Sequence, residues 1–312
     1  MIFTIQKSKE KTEKPIMRFI RACNGFFSLS IAICLCALSA QAQVLYKVSG
    51  NSAKAPSYIF AMNKIVGIEF LDTVPNLLPC FSRCKVVLTE FAMQDYEALA
   101  TLRVAALLPD SIRLDRYYTT EEYQKIDETM QLTLGMGMDK LCRMKPSYLT
   151  AMYRDELLHK WLDYDAQRSM EAFFQALASD KGMPVKAIDE IGETMFMLFD
   201  REPFHWQCKE LLQIIDYPER EIRQERTLAE MYRMGRLTDM SYQILSPDNQ
   251  STQSYSDYQI YAARNKQWVK RLRDYLVEGG AFITLDAIYL GGEKGLLAEL
   301  RSAGYRVKSV NK

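Results

Sequence analysis

One carboxylate, Glu90, is the first candidate for chemistry in this sequence. It follows Val86-Val87-Leu88, an apolar run that predicts a buried strand with the carboxylate at its C-terminal end. Ligands and reacting groups of α/β proteins gather at the carboxyl ends of parallel strands. The spacing also fits a solvated carboxylate at a sheet edge, so both interpretations stay open at this point.

Other common catalytic signatures are missing from the sequence. There is no Gly-x-Ser-x-Gly elbow, and Gly291-Gly292-Glu293-Lys294-Gly295 lacks the spacing and the Lys-Ser/Thr pair of a phosphate loop, which favours a strand-to-helix turn. The two histidines, His159 and His205, lie in helical stretches and are predicted to be packing or surface residues. A metal site would therefore depend on carboxylates, which suit hard ions.

Short runs rich in β-branched and aromatic residues predict the strands that would position Glu90. These runs are 44–48, 58–62, 86–90, 185–188, 282–287 and 307–310. Long helical stretches separate them. The pattern predicts a mixed, helix-rich α/β fold, in which strands from the N- and C-terminal parts form a central sheet and enclose a long helical middle.

The clearest helix spans residues 261–277. Within it, Trp268, Leu272, Tyr275 and Leu276 recur at helical spacing and form one apolar stripe. Gly279-Gly280 is expected to end this helix, because glycine readily takes the left-handed conformation of a helix C-terminus.

Residues 1–42 have the organisation of a secretory signal peptide. Basic residues precede the apolar run 26–38, and Ala40-Gln41-Ala42 supplies the small residues of a cleavage site. The run is shorter than the roughly 20 residues that cross a bilayer, so no retained transmembrane helix is expected. We expect cleavage near Ala42, export to the periplasm or the cell exterior, and a single domain over residues 43–312.

Composition excludes some functional classes for the mature chain. Cleavage would remove six basic and two acidic residues, which changes the net charge from +1 to about −3 and leaves no basic excess for nucleic acid. The remaining cysteines, Cys80, Cys84, Cys142 and Cys208, are too few for a disulfide scaffold. Cys80 and Cys84 lie one helical turn apart and fit two buried thiols as well as a strained bridge.

Several short motifs follow one another in a characteristic order. They are Leu-Tyr-Lys-Val-Ser-Gly at 45–50, Ser-Tyr-Ile-Phe-Ala-Met-Asn-Lys at 57–64, the strand ending in Glu90, Leu108-Pro109-Asp110, Lys145-Pro146, Lys-Gly-Met-Pro-Val at 181–185, Arg264-Asn265 with Trp268, and Leu-Asp-Ala-Ile-Tyr-Leu-Gly-Gly at 285–292. This order resembles the TraB/GumN family, which also includes the Tiki metalloproteases. The resemblance covers about residues 44–310.

The resemblance implies a metal site that this chain has altered. In the family, two Gly-x-x-His motifs and a glutamate meet at one sheet edge and hold a divalent metal, whose bound water performs hydrolysis. Here Ala61 and Lys64 stand at the glycine and histidine of the first motif, and Asp286 and Tyr289 stand at those of the second. Lysine and tyrosine are poor ligands, because each must first lose a tightly held proton.

A further departure lies in the middle of the chain. The family's Leu-Glu segment reads Ile188-Asp189 here, and Thr194 replaces a glutamine that follows it.

These replacements favour a degenerate, exported family member that is not catalytic, needs no cofactor and retains the cleft as a binding or scaffold surface. Its altered site would contain six residues, namely Lys64, Glu90, Arg264, Asn265, Asp286 and Tyr289. We hypothesise that Lys64 forms a partly buried ion pair with Glu90, because an ammonium could neutralise that carboxylate where the metal's charge once did.

Two alternatives remain open, so the sequence leaves enzymatic activity undecided. The first is a metal-dependent hydrolase or peptidase that uses Glu90 with Asp286, Tyr289 and Asn63 to hold a divalent cation. The second is an interaction with an envelope protein or peptide through the tyrosines of the helical middle, Tyr117, Tyr118 and Tyr123. Such closely spaced aromatics also pack under a helix. The sequence identifies no particular partner.

Overall fold

A six-stranded sheet forms the centre of this computed structural model, which describes residues 43–162, 164–245 and 254–310. Its strands are β1 (Leu45–Ser49), β2 (Ser57–Met62), β3 (Val86–Thr89), β4 (Val185–Ala187), β5 (Ala281–Asp286) and β6 (Arg306–Ser309). Each predicted strand is present, with bounds shifted by at most one residue. The predicted mixed, helix-rich α/β class is confirmed.

The strand order is β4-β3-β5-β2-β1-β6. Strands β4, β3, β5 and β2 run parallel, whereas β1 is antiparallel to both β2 and β6. Strand β2 is buried along its whole length and β5 along all but its last residue, which explains their continuous apolar sequences. The helical middle contributes the edge strand β4. The carboxyl ends of the four parallel strands therefore meet at one edge of the sheet.

Helices surround this sheet and fill the middle of the chain. They are α1 (Leu77–Phe81), α2 (Tyr96–Ala105), α3 (Thr120–Leu134), α4 (Met138–Leu141), α5 (Pro146–Leu162), α6 (Met170–Asp180), α7 (Ile191–Met195), α8 (Phe204–Asp216), α9 (Pro218–Arg233), α10 (Leu237–Leu245), α11 (Ser254–Glu278) and α12 (Leu296–Ser302). A π-helical turn, Phe196–Asp200, continues α7. A 3-10 turn, Ala287–Tyr289, follows β5.

Helix α11 contains the helix predicted over residues 261–277 and extends beyond it at its N-terminal end. Trp268, Leu272 and Leu276 from its apolar stripe are fully buried against the sheet. Gly279 ends the helix at φ +72°, and a Cβ there would lie 2.3 Å from the Ala55 carbonyl oxygen. Only glycine satisfies both the backbone conformation and this close approach.

Two apolar clusters account for the core. The larger one covers the sheet, where the ring of Phe282 lies 5.0 Å from those of both Phe81 and Phe174. The smaller one joins α3, α5 and α8 through residues such as Ile126, Leu149 and Leu211. The helical middle thus has an apolar interior of its own beside the sheet.

The tyrosines proposed as a contact surface have different environments. Tyr118 is buried in the smaller cluster, where its hydroxyl donates to the Cys208 carbonyl at 3.1 Å, so of the two interpretations packing under a helix holds for this residue. Tyr123 packs against the same cluster, and Tyr117 is 50% exposed with its ring 4.8 Å from that of Phe204. These residues do not form a continuous aromatic surface.

The four cysteines downstream of residue 42 are free thiols, and Cys80 and Cys84 are both buried. Cys80 and Cys84 are therefore two buried thiols and not a strained disulfide bridge. The predicted signal peptide lies outside the described residues. Among the helices that are described, none combines the length and the apolar character needed to span a bilayer.

Candidate functional site

A cleft of about 520 Å³ lies at the carboxyl edge of the parallel strands. Lys64 follows β2, Glu90 follows β3, and Tyr289 ends the turn after β5, and all three line this cleft. Positions far apart in the chain therefore converge, as the family resemblance implied, because the parallel strands that precede them end at one edge. Asp286 and Arg264 also line the cleft.

An ion-pair network occupies the floor of the cleft. The guanidinium of Arg264, on α11, lies 3.0 Å from Glu90 Oε2. It also donates to Asp189 through Nε at 3.1 Å and through Nη2. The side chain of Asp189 is 1% exposed, and that of Arg264 is 10% exposed. One fixed cation thus neutralises two carboxylates that follow neighbouring strands.

Aromatic rings hold that guanidinium in place. Its central carbon lies 4.5 Å from the ring centre of Trp268 and 4.6 Å from that of Tyr289. Tyr261 stacks on Tyr289 at 4.9 Å, and Trp268 Nε1 donates to Asp189 at 2.5 Å. Ring faces attract cations, so the arrangement compensates part of the cost of burying charge. Burial lowers the pKa of Arg264, but its interactions with Tyr289, Glu90 and Asp189 outweigh burial and raise it, so the guanidinium stays charged.

Backbone donors occupy further oxygens of the site carboxylates. Glu90 Oε1 accepts from the backbone N–H of Asp286 at 3.0 Å. Asp286 Oδ1 in turn accepts from the backbone N–H of Ile288 at 3.0 Å, which caps the turn after β5. The second motif therefore supplies a capping carboxylate where the resemblance places a glycine.

Burial raises the pKa values of Glu90, Glu171 and Asp286, three of the acidic residues in the cleft. Desolvation, with a smaller contribution from Glu90, raises the pKa of Asp286 to about 7. Desolvation and the charge of Glu90 also raise the pKa of Glu171, on α6, to about 7. Glu171 accepts hydrogen bonds from Thr89 Oγ1 at 3.0 Å and from Gln175 Nε2 at 3.3 Å. Both acids are partly protonated near neutral pH.

Lys64 does not pair with Glu90, so that hypothesis is wrong. Its ammonium lies 2.5 Å from Asp155 Oδ1 on α5 and 5.2 Å from the ring centre of Tyr164. The side chain is 39% exposed. The reason is that Arg264, on α11, already neutralises Glu90, so Lys64 pairs with Asp155 on α5 instead.

Asn265 is the one predicted site residue that does not line the cleft. It is buried behind the cleft, where its amide nitrogen donates to the carbonyls of Tyr289 at 3.1 Å and Lys294 at 2.9 Å. It holds the backbone of the second motif against α11. Its role in the site is therefore positional.

Sequence reasoning did not select Asp189 and Glu171 as site residues. Asp189 comes two residues after β4, a location equivalent to that of Glu90, and this signal could have identified it. Glu171 lies on a helix packed over the edge and carries no comparable local signal. Neither His159 nor His205 lines the cleft.

The donor set of the cleft does not suit the divalent metal that the resemblance implies. Both oxygens of Glu90 have partners, and Asn63 Oδ1 accepts from two backbone N–H groups at 3.2 Å each. Burial raises the pKa of Tyr289 well above its ordinary value, which disfavours the phenolate that a metal would require. In the described ranges, no three His, Cys, Asp or Glu side chains are grouped so as to hold a metal ion.

Comparison with known proteins identifies a family. A model of the family described as TraB/PrgY/gumN matches residues 44–309, which include every strand of the sheet. No curated protein and no solved structure matches the chain.

Proposed function

The chain belongs to the TraB/PrgY/gumN family, and on that premise we propose that it is a non-catalytic, exported member that uses its cleft as a binding or scaffold surface. The observation that carries the proposal is the Arg264 guanidinium on the cleft floor, bound to Glu90 and Asp189. An ion pair of this kind leaves those carboxylates little affinity for an added cation. Lys64 and Tyr289, at the histidine positions of the resemblance, bind other groups.

The walls of the cleft support binding as the retained activity. Around the charged floor lie apolar side chains, of which Met93 is 42% exposed and Leu198 is 52% exposed. Leu198 belongs to the π-helical turn, an irregularity that is frequent at functional sites. A cleft of about 520 Å³ is within the range, about 300–1,000 Å³, that holds a small ligand or a few residues of a peptide.

The alternative is a metal-dependent hydrolase, and one observation favours it. Asp286 and Glu171 line the cleft with pKa values of about 7, and carboxylates perturbed in this way are common in acid–base sites. The same shifts follow from burial beside Glu90 alone, so they do not require a reaction.

Metal content and turnover of the purified mature protein separate the two proposals. A non-catalytic member is expected to contain no stoichiometric zinc, manganese or cobalt by elemental analysis, and to cleave no peptide when these ions are added. Metal-dependent turnover that Glu90→Gln abolishes would establish the hydrolase instead. Glu278→Gln is the matched control, because that carboxylate is exposed and pairs with Lys54 at 2.7 Å, far from the cleft edge of the sheet.

Export is the second part of the proposal, and it depends on residues 1–42. We expect the protein recovered from its host envelope to begin at Gln43 and Ala42→Arg to accumulate as the uncleaved precursor. Intact mass spectrometry distinguishes the two forms. A chain that keeps residues 1–42 in the mature state would contradict this part and leave the proposal about the cleft intact.

A further inference from the structure

The cleft at the carboxyl edge of the sheet has an excess of acidic groups. Among the described residues of its lining, four are acidic and three are basic, namely Glu90, Glu171, Asp189, Asp286, Lys64, Arg201 and Arg264. Lys64 pairs with Asp155, which lies outside the lining. Arg201 lies 3.3 Å from Glu202, which also lies outside it. Since Arg264 is bound by two carboxylates of the lining, the cations of the cleft supply no partner for the other two.

Those two carboxyl groups belong to Glu171 and Asp286, and neither forms an ion pair with a residue that the structure describes. Glu171 accepts from Thr89 and Gln175 through Oε1, and Asp286 accepts from the Ile288 N–H through Oδ1. The second oxygen of each has no hydrogen-bond donor within the described ranges, and it retains accessible surface. Both side chains are partly exposed and line the cleft. Two acceptors are therefore open to a ligand.

Glu171 and Asp286 lie over the same face of the sheet. Alternate residues of a strand share a face, so Phe282 and Asp286 of β5 point the same way. Phe174, on α6, packs on Phe282 with ring centres 5.0 Å apart. Glu171 precedes Phe174 by three residues, and its bond to Thr89, the last residue of β3, places it at the carboxyl edge. The neighbouring strand β5 ends at Asp286, and the charge of Glu171 contributes to the raised pKa of that residue.

Gln175 joins this acidic end of the cleft to an apolar wall. Its side chain is 2% exposed and donates to Glu171 Oε1 at 3.3 Å and to the Phe91 carbonyl at 3.0 Å. Its amide oxygen accepts from the backbone N–H of Met93 at 2.8 Å. Phe91, Met93 and Leu198 all line the cleft. The cleft therefore presents carboxylates beside an exposed apolar surface, and buried hydrogen bonds fix the two together.

Other parts of the chain do not reverse the excess of negative charge. Just outside the lining, Arg271 lies 3.9 Å from Asp189 and already binds Glu193. The sequence at position 163 is aspartate, and residues 246–257 include no lysine, arginine or histidine. Charge complementarity therefore selects a cationic occupant for the cleft and disfavours an anionic one.

From the charge excess, the open carboxylate oxygens and the apolar wall, we propose that the cleft binds a primary amine with an apolar body. The ammonium group binds at the Glu171 and Asp286 end, and the apolar part packs against Met93 and Leu198. Hydrogen bonds from an ammonium to carboxylates are about twice as strong as neutral ones. The proposal rests on the proposed use of the cleft as a binding surface, and it names the chemistry of the ligand.

Calorimetric titration of the mature protein with 2-phenylethylamine near pH 8 tests the charge. At this pH the amine is protonated, and both carboxyl groups, whose pKa values are about 7, are mostly ionised. We expect one molecule to bind per chain. The neutral analogue 2-phenylethanol should bind about tenfold or more weakly, and the anion 3-phenylpropanoate should not bind. Equal affinity for the amine and the alcohol, or no binding of the amine, would overturn the proposal.

Two acidic residues of α6 provide a matched pair of variants. Glu171→Gln keeps the size and the hydrogen bonds of the side chain but removes its charge, and it should weaken amine binding about tenfold. Asp180→Asn, at the exposed far end of the same helix, should leave binding unchanged. If the two variants bind the amine alike, the assignment of the ammonium to Glu171 is wrong.

Two exposed leucines test the contact with the apolar body, and neither substitution disturbs the core. Leu198 lines the cleft and is 52% exposed, whereas Leu78, on α1, is 50% exposed and lies outside the lining. Leu198→Ser should weaken 2-phenylethylamine binding about threefold or more, and Leu78→Ser should have no effect. Methylamine, which has the charge without the apolar body, should bind the parent about tenfold or more weakly than 2-phenylethylamine does. Equal affinities of the two serine variants would contradict the apolar contact.

Failure of this ligand and failure of the proposed function give different results. A protein that contains no metal, shows no turnover and binds no amine would refute the ligand and leave the non-catalytic function intact. Metal-dependent turnover together with amine binding that requires Glu171 would support the ligand and refute the non-catalytic function.

Discussion

Glu171→Gln should stabilise the protein relative to the parent, and this gain in unfolding free energy should be larger at alkaline pH than at acidic pH. Glu171 is partly buried beside Glu90, and burial raises its pKa from about 4.5 to about 7. The folded state therefore binds the proton more tightly than the unfolded state does. As pH rises from about 4.5 to about 7, the parent loses stability, because folding then requires a charge to be buried. Glutamine carries no charge and keeps an acceptor for Thr89 and a partner for Gln175.

The size of the effect follows from the width of that pH window. A pKa difference of about 2.5 units corresponds to about 3 kcal/mol of unfolding free energy at pH values above both pKa values. The partial exposure of Glu171 makes this an upper bound. The expected result is a stability difference between variant and parent that is larger near pH 8 than near pH 5 by about 1–3 kcal/mol.

Urea unfolding, followed by tryptophan fluorescence at several pH values, measures this difference. Asp286 titrates in the same window, but it is present in both proteins and largely cancels. Glu193→Gln is a control of opposite sign, because the hydrogen bond from Arg271 lowers the pKa of Glu193 and its charge stabilises the fold above about pH 4.5. A Glu171→Gln curve parallel to that of the parent would refute the reasoning.

Three further predictions concern stability and can be checked by thermal or chemical unfolding. Arg264→Met leaves two buried carboxylates without their cation and should cost about 3–5 kcal/mol, so a loss below about 1 kcal/mol would contradict the central ion pair. Gly279→Ala should lower the unfolding free energy by about 3 kcal/mol or more, because the added Cβ would collide with the Ala55 backbone. Gly182→Ala, at φ +64° with open space around it, should lower it by only about 1 kcal/mol. Equal losses would show that the contact with Ala55 does not matter. Tyr232→Phe removes a buried hydrogen bond of 2.8 Å to a β2 carbonyl and should lower the unfolding free energy by about 1 kcal/mol. An unchanged unfolding free energy would indicate that water replaces this bond.

The prediction of the strands from sequence succeeded because interior parallel strands carry a local signal. Strands β2 and β5 are buried on both faces, so they must be apolar throughout, and such runs are visible without any knowledge of the fold. The convergence of positions 64, 90 and 289 was implied by the family resemblance, and the structure explains it, because the strands that precede them run parallel and end at one edge of the sheet. The signal that ends α11, the Gly279-Gly280 pair, is also local and was read from the sequence in the same way.

What the sequence alone determined is therefore the fold class, the family and the strands whose carboxyl ends border the candidate cleft. Only the tertiary structure decided which charges meet there. Glu90 pairs with Arg264 and not with Lys64, Asp189 joins the pair from 75 positions away in the chain, and Asn265 holds the Tyr289 and Lys294 carbonyls behind the cleft. The physical reason is that a buried charge takes the partner whose helix brings it within a few ångströms, and helix packing across the sheet leaves no local pattern in the sequence.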